Sequence, residues 1–195
     1  MYWIKINPTP KESDVKTFLL ILAVFSILSS IMVADAQSSS PAMKVESISV
    51  RLGLVDPEDI NSALGLGSDI SFGNDFASSE LSAFVDFWRK SESNGGADWS
   101  WLDIGIGGAG RYYISVSPDA NLHIKPYAGA GLGLYIMHWS GNDKSDTDLD
   151  IGLKLLGGTR AVISGIEFIA EASYTLMADP KYFGFWVGAS FNLSE

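Results

Sequence analysis

The chain has 195 residues, 47% of them hydrophobic, with 20 glycines, no cysteine and a formal charge of −10. Without cysteine it can hold no disulfide framework, no thiolate metal site and no lipobox-type lipid anchor. The acidic balance argues against nucleic acid as a partner, since that recognition needs clustered Lys and Arg.

Reading from the start, Phe18 to Val33 is an uncharged apolar run preceded by Lys5, Lys11 and Lys16 and ending in Ala34-Asp35-Ala36. This is the layout of a secretory signal peptide cut after Ala36. The run is shorter than the ~20 residues of a spanning helix and carries three serines. The expected division is therefore a leader over 1–36, a flexible lead-in over 37–43 and one domain over 44–195.

Beyond the leader the chain alternates with a period of two, the signature of strands with unlike faces. Only Pro57 to Ala63, with Asp56 as N-cap, offers a helical turn or two. In the first strand, Lys44 to Leu54, Ile48, Val50, Leu52 and Leu54 oppose Ser47, Ser49, Arg51 and Gly53. The second, Ala63 to Phe72, sets Leu64, Leu66, Ile70 and Phe72 against Gly65, Gly67, Asp69 and Ser71. After a turn at Gly73-Asn74-Asp75, the third runs Ser79 to Trp88, with Leu81, Ala83, Val85 and Phe87 opposite Ser82, Phe84, Asp86 and Trp88. Arg89 to Ala97 reads as a polar loop.

The fourth strand, Trp99 to Tyr112, places Leu102, Ile104, Ile106 and Tyr112 against Asp103, Gly105, Gly107, Ala109 and Arg111. A turn at Ser117-Pro118-Asp119 leads to the fifth, His123 to Met137, where Ala128, Ala130, Leu132, Leu134 and Ile136 oppose Tyr127, Gly129, Gly131, Gly133 and Tyr135. An acidic loop follows. The sixth, Asp148 to Gly158, opposes Leu149, Ile151, Leu153 and Leu155 to Asp150, Gly152, Lys154 and Gly158. Ser164-Gly165 turns into the seventh, Ile166 to Leu176, with Phe168, Ala170, Ala172, Tyr174 and Leu176 against Glu167, Glu171, Ser173 and Thr175. In the last, Tyr182 to Leu193, Phe183, Phe185, Val187, Ala189 and Phe191 alternate with Gly184, Trp186, Gly188, Ser190 and Asn192.

Every apolar face lacks charge, and nearly every opposing face holds Gly, Ser or an ionised group. A sandwich burying its apolar faces together fits the pattern too. The leader, the roughly ten-residue strands and the glycine-rich polar faces favour an all-β, eight-stranded antiparallel up-and-down transmembrane barrel, apolar outside. Two aromatic belts are expected at its ends: Phe87, Trp88, Trp99, Trp101, Tyr135 and Trp139 at one, and Phe72, Phe76, Tyr112, Tyr113, Phe168 and Phe191 at the other.

Lys125-Pro126-Tyr127-Ala128-Gly129-Ala130-Gly131-Leu132-Gly133-Leu134 resembles the PY-x-G-x-G-x-G strand of small outer-membrane β-barrel proteins of the OmpA/OmpW-like superfamily. Ser47 to Gly53 with Val55-Asp56-Pro57-Glu58, and the final aromatic strand, fit the same pattern. The resemblance implies an eight-stranded barrel in the outer membrane of a diderm bacterium, surrounded by lipid and lipopolysaccharide, with both termini in the periplasm. It also implies insertion by the barrel-assembly machinery through a C-terminal aromatic strand. Here Asn192 to Glu195 follow Phe191, whereas many members end on the aromatic residue. No cofactor is implied.

Candidate chemistry is sparse. Arg51, Asp69, Asp86, Asp103, Arg111, Asp150, Lys154, Glu167 and Glu171 share the inward face, where eight strands leave room only for side chains. They are expected to form an ionic plug, with Arg51 and Lys154 pairing Asp69, Asp86, Asp150 or Glu171; the functional alternative is a narrow ion path. Gly105 to Gly110 satisfies G-x-G-x-x-G, but the strand-like Arg111 to Val116 follows where a phosphate-binding helix must begin. His138-Trp139-Ser140, with Asp148 or Asp150, resembles the His-x-Ser pair of outer-membrane lipid A deacylases, a weak alternative with His138, Ser140 and Asp150 as the catalytic set. The acidic loop Gly141 to Asp148 lacks an EF-hand pattern, so it is read as solvated and no metal is expected. The leading expectation is a structural or passive outer-membrane barrel. A lipid-modifying hydrolase and a secreted, soluble ligand-binding barrel remain as alternatives.

Overall fold

Strict alternation over eight successive segments leaves each strand with one face for a core and one for its surroundings, and closing the sheet on itself removes both edges. The computed structural model describes residues 44–72, 78–94, 97–115, 124–141, 144–177 and 180–193. The expected leader and lead-in, the turns at 73–75 and 117–119, Phe76 and His123 lie outside the described residues. The strands are β1 (Val45–Pro57), β2 (Ala63–Phe72), β3 (Ser79–Asn94), β4 (Ala97–Tyr113), β5 (Ile124–Gly141), β6 (Lys144–Ile163), β7 (Ile166–Leu176) and β8 (Tyr182–Asn192). They form a closed barrel in chain order, sealed by antiparallel β1–β8 pairing from Ser47↔Asn192 to Pro57↔Tyr182. Both ends of the described barrel therefore lie at one rim, the terminal end. The β1–β2, β3–β4, β5–β6 and β7–β8 connections lie at the other, the loop end.

One connection shows its sequence logic directly. Ile163 pairs with Ile166, leaving Ser164 and Gly165 as a two-residue turn. Both have positive φ, 53° and 84°, as a primed hairpin turn matching the strand twist requires. At the loop end, Glu58 and Asp59 make a hydrogen-bonded turn rather than a helix, with Asp59 at φ 63°.

At the loop end β1 and β3 to β6 outrun the sequence reading. Arg89 to Asn94 continues β3 and pairs through Asn94↔Ala97, and β5 and β6 run to Gly141↔Lys144. β2 pairs β3 only as far as Trp88, and β7 pairs β6 only from Leu153. So β3 to β6 project past the rim as two long hairpins. Their tips are polar, and no apolar surroundings impose alternation on them.

The outward face repeats the apolar pattern on all eight strands. Leu52, Leu64, Leu81, Ile106, Leu132, Ile151, Phe168 and Val187 are all exposed. On β1 the apolar stretch is bounded by outward-pointing Glu46 and Asp56. Ten residues of strand at roughly 3.3 Å each, tilted by about 40°, give a band roughly 25 Å tall.

The interior is filled in layers. Near the terminal end Phe84, Ala109, Tyr127 and Leu156 cluster, with Tyr113 against them. Toward the loop end Val55, Ala63, Trp88, Tyr135, Met177, Tyr182 and Trp186 form a second cluster. The glycines make that cluster possible. A Cβ on Gly53, Gly65 or Gly184 would run into the Trp186 indole, and one on Gly105 or Gly152 would meet the Tyr135 ring at 2.6 Å. Two large rings thus fit across a narrow lumen because the facing walls carry no side chains.

The aromatic belts need correction at the loop end. Trp88 and Tyr135 are buried inside the barrel, at 2% and 0% exposure. Trp99, Trp101 and Trp139 stack on one another on the inner face of the projecting hairpins, with centroids 6.3 and 6.2 Å apart. Only Phe87 of that expected set faces outward. The other five have the parity of the polar face, and parity rather than nearness to a strand end decides where a ring points. At the terminal end Tyr112, Phe168 and Phe191 do face outward, while Tyr113 turns inward onto Tyr127.

Candidate functional site

Between the two aromatic layers lies a buried network of ion pairs. Arg51 on β1 is its centre. Its guanidinium meets Asp69 at 3.3 Å, Asp86 at 3.1 Å and Glu171, the last in a very close contact. Glu171 also receives Arg111 at 3.4 Å, Lys154 at 4.0 Å and the Tyr127 hydroxyl at 2.9 Å. Lys154 Nζ donates to Asp86 at 2.6 Å, and Arg111 reaches Asp69 at 3.0 Å. The cations are also held by rings: Lys154 lies 4.7 Å from the Phe84 centroid and Arg51 5.6 Å from that of Trp186.

The network extends toward the terminal end through two residues that the sequence reading did not single out. Arg160 on β6 binds Glu80 at 2.8 Å and Glu167 at 3.2 Å, and Glu80 also takes Arg111 at 3.2 Å and the Tyr113 hydroxyl at 2.7 Å. Parity could have found both: Glu80 is in phase with Ser82 and Asp86, and Arg160 with Lys154 and Gly158. Among the described residues four bases thus face five acids within the ion-paired network, with buried Asp103 outside it. Such a lattice bridges β1, β2, β3, β4, β6 and β7, tying non-adjacent strands to one register.

Two expected members are placed differently. Asp150 keeps inward parity but is only half-buried, because β6 has no β7 partner at its height and the wall opens there. Its Oδ1 accepts the Ile151 N–H at 2.8 Å. Asp103 is buried at 1% exposure, yet neither carboxylate oxygen has a hydrogen-bond partner among the described residues.

The nucleophile–base reading finds no assembled pair. His138 and Ser140 share the outer face of β5, but His138 Nδ1 bonds Thr147 Oγ1 at 2.9 Å and Ser140 Oγ bonds Ser100 Oγ at 2.8 Å. Asp150 has the opposite parity and so cannot orient the imidazole. The G-x-G-x-x-G run lies inside β4, with no helix following it. No cluster of three or more metal-ligating side chains occurs among the described residues.

No family model matches the sequence, and no curated protein matches it. Among solved structures, the Neisserial surface protein A has a TM-score of 0.53 at 17% identity, covering 76% of this chain and 96% of its own. Ail, the attachment invasion locus protein of Yersinia pestis, has a TM-score of 0.52 at 14% identity, covering 75% and 97%. The chain has the fold of the small eight-stranded outer-membrane barrels. At these identities the likeness concerns the fold alone, and the role must be argued from this chain's own surfaces.

Proposed function

We propose that the chain is an integral outer-membrane β-barrel with a structural or passive role: a membrane scaffold or surface-presenting element with at most narrow small-solute passage. The observation that carries this reading is the charge-free apolar band around the whole exterior, set against an ion-paired interior. In water that arrangement is inverted and would expose far more contiguous apolar surface than soluble proteins tolerate. In a bilayer it is the required one. On this reading residues 1–36 export the chain, the barrel-assembly machinery inserts it by its last strand, and lipid and lipopolysaccharide surround Phe183, Phe185, Val187, Ala189 and Phe191.

The layered interior argues for a plug. A conducting path would have to thread the Trp186 and Tyr135 rings and a lattice in which each cation touches at least two carboxylates.

Folded in detergent, the protein should migrate differently on gels before and after heating, as closed barrels resist unfolding by the gel detergent. Identical migration of soluble, folded protein would count against membrane insertion. In planar bilayers the protein should be silent. Steady conductance that changes in Lys154→Ala would replace the plug by an ion path.

A further inference from the structure

The loop-end mouth holds a cup of about 330 Å³, lined by none of the ion-paired residues and closed on its barrel side by Trp88 of the second aromatic cluster. Asp103 lies at its floor, Trp88, Trp101 and Trp139 form walls, and Glu58 and Asp148 stand at its rim. We propose that this cup binds an organic polyamine, an extended aliphatic cation with several ammonium groups.

Three observations lead to that class. The first is the state of Asp103. An acid at 1% exposure with no partner on either oxygen is costly to ionise, and a cation arriving in the cup would favour its ionised form. The network cations do not do so: among the described residues none donates a hydrogen bond to either oxygen. The second is the sign of the lining. Asp59 adds a fourth carboxylate, and no Lys or Arg lines the cup among the described residues. His138 reaches it but has Nδ1 engaged with Thr147. The field therefore selects cations.

The third is shape. The acids do not converge closely enough to cage a single metal ion. They run from floor to rim, which suits charges spaced along a flexible chain. The indoles supply faces for ammonium groups and apolar surface for the methylenes between them. These rings are held in place: Trp99 stacks on both Trp101 and Trp139, and Trp88 meets Tyr182 edge-on at 6.0 Å. Stacked indoles also suit neutral sugars, but four carboxylates without a lining base favour the cation.

Spermidine is the probe, titrated into the full chain folded in detergent and followed by calorimetry and tryptophan fluorescence. Saturable binding with one site is expected, weakening as salt rises, since the rim charges are screened. Asp103→Asn should weaken it at least tenfold and Trp101→Ala about tenfold. Glu58→Gln and Asp148→Asn, both on the open rim, should each weaken it roughly two- to threefold. Glu46→Gln, at the terminal end, should change nothing. If Asp103→Asn fails to fold, the two rim variants and Trp101→Ala decide. Absence of saturable binding, binding of methyl glucoside or Mg²⁺ as strong as that of spermidine, or carboxylate variants that bind like the unmodified protein would each overturn the proposal. The outcome does not depend on whether the outer band faces lipid.

Discussion

Arg51→Met should destabilise the folded barrel by about 3–5 kcal/mol, the cost typical of breaking a buried ion pair from one side. The methionine fills much of the same space, so the loss is electrostatic rather than a cavity. Asp86 retains Lys154, and Asp69 and Glu171 retain Arg111. Yet five acids would then face three bases in a space from which water is largely excluded. Reversible urea unfolding of the protein in lipid vesicles measures the effect. Adding Glu171→Gln should recover part of it, because the second change removes one of the acids left uncompensated. The double-mutant cycle then gives the coupling directly. A loss below about 1 kcal/mol for Arg51→Met would mean that the network is hydrated and behaves like a set of surface pairs. That result would also reopen the ion path.

Much of this architecture was legible in the sequence because one rule governs it. In a strand, neighbouring side chains point to opposite faces, so a charge-free series on every segment orients Leu52, Ile106 and Val187 outward and Arg51, Asp86 and Lys154 inward without knowledge of contacts. The same rule placed Trp88, Tyr135 and Trp186 inside. Assigning Trp88 and Tyr135 to an outer aromatic belt was an error of reading position along the strand in place of parity. Strand length was not legible beyond the apolar band. Arg89 to Asn94 and Lys144 to Asp148 pair only within their own projecting hairpins, with β4 and β5 respectively, and their mostly polar residues look like a loop in sequence. Which inward charges would meet was also hidden. Asp69, Asp103 and Asp150 share a parity class, but strand stagger brings the first onto Arg51 and Arg111 and leaves the second unpartnered. For the third, the wall is open because β7 ends lower than β6. Partner choice in a barrel depends on register between strands, and no local pattern records it.

The final strand supplies the most decisive substitution. Val187 on β8 pairs with Leu52 of β1 and Ala170 of β7, midway between the charged limits of the apolar band, and is 51% exposed. Val187→Arg should cost about 2–4 kcal/mol if the band spans a bilayer, because the guanidinium would sit near the midplane. Leu193→Arg, outside the band at the terminal end, should cost roughly 0–1 kcal/mol in the same vesicles. In a soluble barrel both positions face water, and both substitutions should fall within about 0.5 kcal/mol of the unmodified protein. The difference between the two variants therefore separates lipid from water as the surroundings of Phe183 to Phe191. Neither side chain touches the ion pairs, so the comparison is insensitive to how the interior is organised. Equal, small effects at both positions would return the chain to the soluble-barrel reading, with the exposed phenylalanines then requiring a protein partner to cover them.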